Sequence, residues 1–120
     1  MGKRILVCDD APFMRMMIKE MLEENGYDVI GEADTGESAC RMYNALRPQL
    51  VLLDITLPDM DGIEVLKRIR EQNQAADIIM CSAMGQQELI IKSIKAGARD
   101  FIIKPFRTER MLDAIKKVIG

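Results

Sequence analysis

Short apolar runs recur along the chain, beginning near Ile5, Val29, Leu50, Ile78 and Phe101. Their starts lie 24, 21, 28 and 23 residues apart, room each time for one helix and two loops, which is the spacing of a βα unit used five times. The runs at 5–8, 50–53 and 78–81 are continuously apolar, as parallel strands covered on both faces require. Asp28-Val29-Ile30-Gly31-Glu32 is weaker and is expected at a sheet edge. Between the runs, apolar residues return every three or four positions: Phe13, Met17 and Met21; Ala39, Tyr43 and Leu46; Ile63, Leu66 and Ile69; Leu89 or Ile90 with Ile94; Met111, Ile115 and Val118. That period predicts five amphipathic helices facing the sheet along those residues.

Local signals mark the helix ends. Pro12 suits a first helical position, Thr35 and Asp61 suit N-caps, Glu64 stands three after Asp61 as in a capping box, and Gly26 and Gly97 suit C-terminal stops. Right-handed β-helix-β crossovers then give an open α/β sheet with helices on both faces. The doubly wound order 2-1-3-4-5, the flavodoxin-like one, places the weak second strand at an edge and reverses direction between strands 1 and 3. Residues just past the carboxyl ends of the strands converge on the crevice at that reversal.

Composition narrows the classes of function. With 120 residues, 48% hydrophobic and 30% charged, the chain is read as one globular domain spanning 1–120. The formal charge of −2 argues against a protein held to nucleic acid by phosphate neutralisation. No apolar run exceeds four residues, far short of the ~20 of a spanning helix or the ~7–15 of a signal peptide. Leu6 stands where a myristoylation signal needs Ser or Thr, so a soluble, cytoplasmic protein without a lipid anchor is expected. Cys8, Cys40 and Cys81 form no CxxC pair and are read as core or helix-face thiols in a reducing compartment. The ten methionines are read mainly as core filler. The absence of histidine removes His-based nucleophilic catalysis and His-ligated metals, leaving carboxylate, hydroxyl and lysine chemistry.

That chemistry gathers where the strands end. Strand 1 ends in Asp9-Asp10, strand 3 in Asp54, strand 4 in Ser82 and strand 5 in Lys104-Pro105. Taken singly, Asp9-Asp10 would serve a helix N-terminus, Asp54 a turn, Lys104 a solvated surface and Ser82 a cap. Together they place three carboxylates in one crevice, a −3 charge that one lysine cannot balance. A hard divalent cation does balance it: Mg²⁺ takes oxygen ligands and is typically held by one or two carboxylates with phosphate oxygens. A neutralised pocket with a spare carboxylate suits a phosphoryl group on Asp54, its oxygens met by Ser82 and Lys104.

These residues resemble a known motif set. Val7-Cys8-Asp9-Asp10, Leu53-Asp54 through Asp61-Gly62, Cys81-Ser82-Ala83 and Lys104-Pro105-Phe106 are similar, in order and spacing and over the whole chain, to two-component response-regulator receiver domains. The length and Ser82-Ala83-Met84-Gly85 are most like the single-domain chemotaxis members. The resemblance implies that Asp54 is the phosphoacceptor for a histidine-kinase donor. It implies Mg²⁺ held by Asp10, Asp54 and the Thr56 carbonyl, with Asp9 acting through metal-bound water. Ser82 and Lys104 would bind the phosphoryl group, and the peptide before Pro105 would be cis. Ser82 and Phe101 would couple phosphorylation to the surface of the fourth helix, fifth strand and fifth helix. Phe101 stands where some relatives carry tyrosine, so its signal must travel by packing. The implied partners are the kinase, an effector such as a flagellar motor switch component, and a phosphatase, for a monomeric chain that binds neither nucleic acid nor membrane.

Two other readings compete. The chain could be a receiver cut from a larger regulator, or a Mg²⁺-dependent phosphohydrolase working through an aspartyl phosphate. The second resembles DxDx[TV] at the nucleophile, and here Thr56 occupies the place of its second aspartate. A dinucleotide site lacks its GxGxxG loop. Charge adds an independent feature: residues 1–64 carry 13 acidic and 6 basic groups, a balance of −7, and residues 65–120 carry 6 and 11, a balance of +5. Lys92, Lys95, Arg99, Arg107, Arg110, Lys116 and Lys117 fall in the segment expected to change shape, which predicts an acidic partner.

Overall fold

The computed structural model describes residues 2–120. Five strands, β1 (Arg4–Cys8), β2 (Asp28–Ala33), β3 (Leu50–Leu53), β4 (Ile78–Ser82) and β5 (Asp100–Ile103), alternate with five helices. The helices are α1 (Pro12–Glu24), α2 (Gly36–Leu46), α3 (Gly62–Gln72), α4 (Gln87–Lys95) and α5 (Thr108–Ile119). The strands form one parallel sheet in the order β2-β1-β3-β4-β5, as the run pattern and the reversal rule require. β2 does lie at an edge, and its register to β1 slips between Ile5 and Leu6, where Val29 and then Gly31 are the partners. No helix among the described residues is long and apolar enough to cross a membrane.

Strand alternation divides the core in two. Leu6, Cys8, Val51, Leu53, Ile78, Met80 and Phe101 point to one face and pack with Ala39 and Tyr43 of α2 and with Val65, Leu66 and Ile69 of α3. Leu89 and Ile90 of α4 lean on the same face. Ile5, Val7, Leu50, Leu52, Ile79, Cys81 and Ile102 point the other way, against Ile18 and Leu22 of α1 and Met111, Ala114 and Ile115 of α5. Each Val, Leu, Ile, Phe or Met side chain among them that is removed from water contributes about 1.5–3 kcal/mol. Continuous burial on both faces explains why the central strands read as unbroken apolar runs.

The caps follow the local chemistry, with one exchange. Thr35 accepts from Ser38 N, and Ser38 Oγ accepts from Thr35 N, so the reciprocal capping box sits on α2. Asp61 caps α3 through Ile63 N, but Glu64 turns along the helix to Arg68 and closes no box there. Gly26 and Gly97 stop α1 and α4 at φ +86° and +111°, values that only glycine adopts freely. Arg47 takes the same left-handed role after α2 at φ 46°, which nothing in its residue type announces.

Two helix faces differ from expectation. On α1, Phe13 and Met17 are exposed and Ile18 and Leu22 are buried, because the helix is apolar over a wider arc than the sheet covers. On α4, Ile94 is exposed while Ser93 is buried, its hydroxyl satisfied by the Leu89 carbonyl at 2.8 Å. Met16, Met17 and Met84 are exposed as well, so methionine is not only core filler here.

Gly62 opens α3 directly behind β3. A Cβ there would lie 2.2 Å from the Asp54 carbonyl oxygen and 2.6 Å from Ile55 Cα, both backbone atoms that cannot step aside. Gly62→Ala is therefore expected to lower the unfolding free energy by about 1–3 kcal/mol, measured by urea titration against wild type.

Candidate functional site

The ladder hydrogen bonds run one residue past the strand ends. Asp9 N donates to Ala33 O at 2.9 Å, Asp54 N to Cys8 O at 3.0 Å and Lys104 N to Ser82 O at 2.9 Å. Three of the candidate site residues thus have their backbones held by strand-like hydrogen bonds although each stands just beyond its strand. Their side chains meet at the crevice where β1 and β3 part. Lys104 Nζ lies 2.5 Å from Asp9 Oδ2 and 3.0 Å from Asp54 Oδ2, bridging two residues 95 and 50 positions away in sequence.

The second oxygen of each carboxylate is also engaged. Asp9 Oδ1 accepts from Ala11 N at 2.9 Å, which ties it to the entry of α1, and Asp54 Oδ1 accepts from Thr56 N at 3.1 Å. Asp9 and Asp54 are 3% and 7% exposed, whereas Asp10 faces solvent. Ser82 is fully buried, with its Oγ accepting from Met84 N at 3.1 Å. Thr56, on the exposed lip, pairs its backbone with Asp61 and donates its hydroxyl to Met84 Sδ at 3.5 Å. The Lys104–Pro105 peptide is cis.

Burial and charge set the protonation balance. Burial pushes the Asp54 carboxyl above the ordinary aspartate range, and the bonds from Lys104 and Thr56 only partly oppose it, with the neighbouring Asp9 adding to the rise. For Lys104 burial pulls downward, but hydrogen bonds and charge from both Asp9 and Asp54 outweigh it, so its ammonium is held above the ordinary range. The two directions agree physically: the lysine has two anionic partners, and Asp54 has one cation and a like-charged neighbour. Cys81, in the core beneath, is pushed up to about 12 by burial, and burial raises Cys8 as well, so both are inert thiols.

Asp9, Asp10 and Asp54 can each offer one oxygen such that all three lie within 4.8 Å of one another. The donors are all hard oxygens, and one ammonium leaves an excess of negative charge among them. That set fits Mg²⁺ and disfavours softer ions.

Of the residues singled out in the sequence, Asp9, Asp10, Asp54, Thr56, Ser82 and Lys104 converge on this crevice. Phe101 lies deeper: β5 pairs Phe101 with Met80 and Ile103 with Ser82, so the ring sits one pleat below Ser82 on the same sheet face, and it is buried. Two supporting residues were not legible. Arg15 donates to the Asp9 carbonyl at 2.6 Å while pairing with Glu32. Asp59 accepts from Gly36 N at 2.7 Å and Glu37 N at 2.9 Å, fastening the loop after β3 to the start of α2. Those backbone donors hold its carboxyl below the usual range. Nothing near Arg15 or Asp59 in sequence signals either contact.

Comparison with known proteins places this geometry. A family profile for the response regulator receiver domain matches residues 5–116. The chain is 54% identical over 120 residues to the chemotaxis protein CheY of Bacillus subtilis, covering 100% of both. It is 52% identical over 118 residues to CheY of Thermotoga maritima, covering 98% of each. Among solved structures, the CheX-CheY-BeF3-Mg+2 complex from Borrelia burgdorferi contains a chain that superposes with a TM-score of 0.95 at 32% identity, covering 98% of this chain and 90% of that one.

The raised Asp54 carboxyl gives a prediction for protein held free of divalent ions by chelator. A carboxyl whose folded-state pKa exceeds its unfolded value costs no stability below the unfolded value and its full penalty above the folded one. Asp54→Asn is therefore expected to raise the urea midpoint at neutral pH, with the gain shrinking as pH falls through the aspartate range. A gain that is absent at neutral pH, or that grows in acid, contradicts the assignment.

Proposed function

The chain belongs to the response regulator receiver domain family, and from that premise we propose that it is a Mg²⁺-dependent phosphoacceptor switch of a chemotaxis-type two-component system. The observation that carries the proposal is the Lys104 bridge to Asp9 and Asp54 beside three convergent carboxylates. Asp54 attacks the phosphorus of a phosphohistidine on the kinase; the P–N bond breaks and its electron pair returns to the imidazole. Asp9, Asp10, Asp54 and the Thr56 carbonyl are the residues that would hold Mg²⁺. When bound, the ion supplies the positive charge that offsets the phosphoryl oxygens. Lys104 exchanges a carboxylate for a phosphoryl oxygen, and the Ser82 hydroxyl turns from Met84 N to donate to another. The chain modifies itself and is not a turnover enzyme.

The exchange at Ser82 reaches the surface through β4 and β5. Ile103 stands opposite Ser82 and packs under Gly85, where a Cβ would come within 2.9 Å of its Cδ1, so movement of Ser82 is felt along β5 and at Phe101. The outer face there combines exposed Ile91, Ile94 and Ile103 with basic residues. Arg99 and Arg110 are tied to Asp77 and Asp100, whereas Lys92, Lys95, Arg107, Lys116 and Lys117 form no ion pair among the described residues. The exposed isoleucines, with Arg107 beside Ile103 and the other unpaired basic residues on α4 and α5, suit an acidic, apolar segment of a cytoplasmic effector such as a flagellar motor switch component. A further protein partner, to which we assign the role of phosphatase, is in keeping with the Borrelia relative being held in a complex with CheX.

Acetyl phosphate with Mg²⁺ is expected to label wild type and leave Asp54→Asn unlabelled, with labelling lost when Mg²⁺ is withheld; equal labelling of the variant contradicts the assignment. Association of the phosphorylated protein with an acidic effector peptide is expected to slow markedly between low and moderate salt, and a salt-independent on-rate in stopped flow contradicts the basic residues of α4 and α5 as its guide.

A further inference from the structure

We propose that Met84 is an oxidation site whose sulfoxide shortens the life of the phosphoryl group on Asp54, an inference that rests on the phosphoacceptor reading above. Met84 is 41% exposed, and before phosphorylation its N–H donates to buried Ser82 Oγ at 3.1 Å, two residues back at the end of β4. Its sulfur accepts the Thr56 hydroxyl at 3.5 Å, and the Thr56 N–H donates to Asp54 Oδ1 at 3.1 Å. The thioether is thus open to solvent on one side and joined by two hydrogen bonds and one residue to the reacting carboxylate on the other.

The other described methionines lack that combination. Met80 and Met111 are fully buried, and Met14, Met21, Met42 and Met60 are partly buried against the core. Met16 and Met17 are 49% and 45% exposed but make no hydrogen bond to Asp9, Asp54, Ser82 or Lys104. Exposure therefore selects three oxidisable methionines, and contact with the site selects one of them.

The chemistry changes what that position offers. A thioether sulfur is a weak acceptor and does little to orient a water molecule. A peroxide takes two electrons from it: the peroxide O–O bond breaks, an S=O bond forms, the sulfur is oxidised and the other peroxide oxygen leaves as water. The product is polar and is returned to the thioether by sulfoxide reductases. Its oxygen is a strong acceptor beside the Thr56 hydroxyl and can hold a water at the lip of the pocket. When that water attacks the acyl phosphate, a new O–P bond forms and the P–O bond to Asp54 breaks. The electron pair returns to the carboxylate, and the water's proton departs on inorganic phosphate. Oxidant would in this way cut the signal short without touching the phosphoacceptor.

The test compares wild type and Met84→Leu, each before and after dilute hydrogen peroxide. Oxidised residues are mapped by peptide mass spectrometry and folding is checked by circular dichroism. Each sample is labelled with acetyl phosphate and Mg²⁺, freed of donor, and followed for decay of the label. Met84 is expected to oxidise readily, wild-type decay to accelerate roughly threefold or more, and sulfoxide reductase to restore the original rate. Met84→Leu, which keeps Met16 and Met17, is expected to decay at the same rate before and after oxidant. The proposal is overturned if Met84 stays reduced while Met16 and Met17 oxidise, if wild-type decay is unchanged, or if Met84→Leu accelerates equally. Failure of unoxidised wild type to take label overturns the phosphoacceptor reading, whereas label that forms and decays unchanged overturns the oxidation step alone.

Discussion

The Lys104 ammonium stands between the carboxylates of Asp9 and Asp54, and the arrangement at the mouth of the sheet depends on it. Two anionic groups with most of their surface removed from water repel strongly, and burial disfavours the charged form of Asp54. One cation shared by both makes the pair tolerable, yet it does not cancel the charge of Asp10 beside them. The crevice is left short of positive charge in a position where only oxygen donors point inward. Stability alone does not call for such a site, because a buried ion pair is a weak stabiliser next to well-packed apolar residues. In the function proposed above, its use lies in what can be exchanged at Lys104, a carboxylate oxygen for a phosphoryl oxygen.

The fold supplies the precision this requires. Parallel strands bring residues from distant parts of the chain to one edge, and the ladder bonds that continue through Asp9, Asp54 and Lys104 hold their backbones in register. Cores on both faces fix the sheet, and Gly62 lets α3 start against the Asp54 backbone itself. Asp59 fastens the far side of the same loop to α2. The result is a buried floor with an exposed rim, where Thr56 and Met84 meet through a long hydroxyl–sulfur contact.

Much of this was legible because it follows from period and position. Unbroken apolar runs named the central strands, the weak second run named an edge, and the residues at the ends of β1, β3, β4 and β5 named the side chains that meet in the crevice. What sequence did not disclose has physical reasons. On α1 the apolar arc is wider than its contact, so Phe13 and Met17 repeat as regularly as Ile18 and Leu22, and only packing decides between them. On α4 a serine that returns its hydroxyl to its own helix can be buried at little cost, which no hydropathy pattern marks. Asp59 accepts from a backbone N–H 23 residues back and Arg15 donates to a backbone carbonyl six residues back, and a backbone partner leaves no trace in residue type. The Asp61–Glu64 pair has the composition of a capping box, but Arg68 one turn on competes for the glutamate.

The most direct test of the central claim is a crystal structure of the protein loaded with Mg²⁺ and beryllofluoride. The beryllium is expected to be bonded to an Asp54 oxygen, with Lys104 Nζ moved from at least one carboxylate onto a fluorine and the ion held among Asp9, Asp10 and Asp54. A structure in which Lys104 keeps both its present contacts, or in which beryllofluoride attaches to another carboxylate, contradicts the claim.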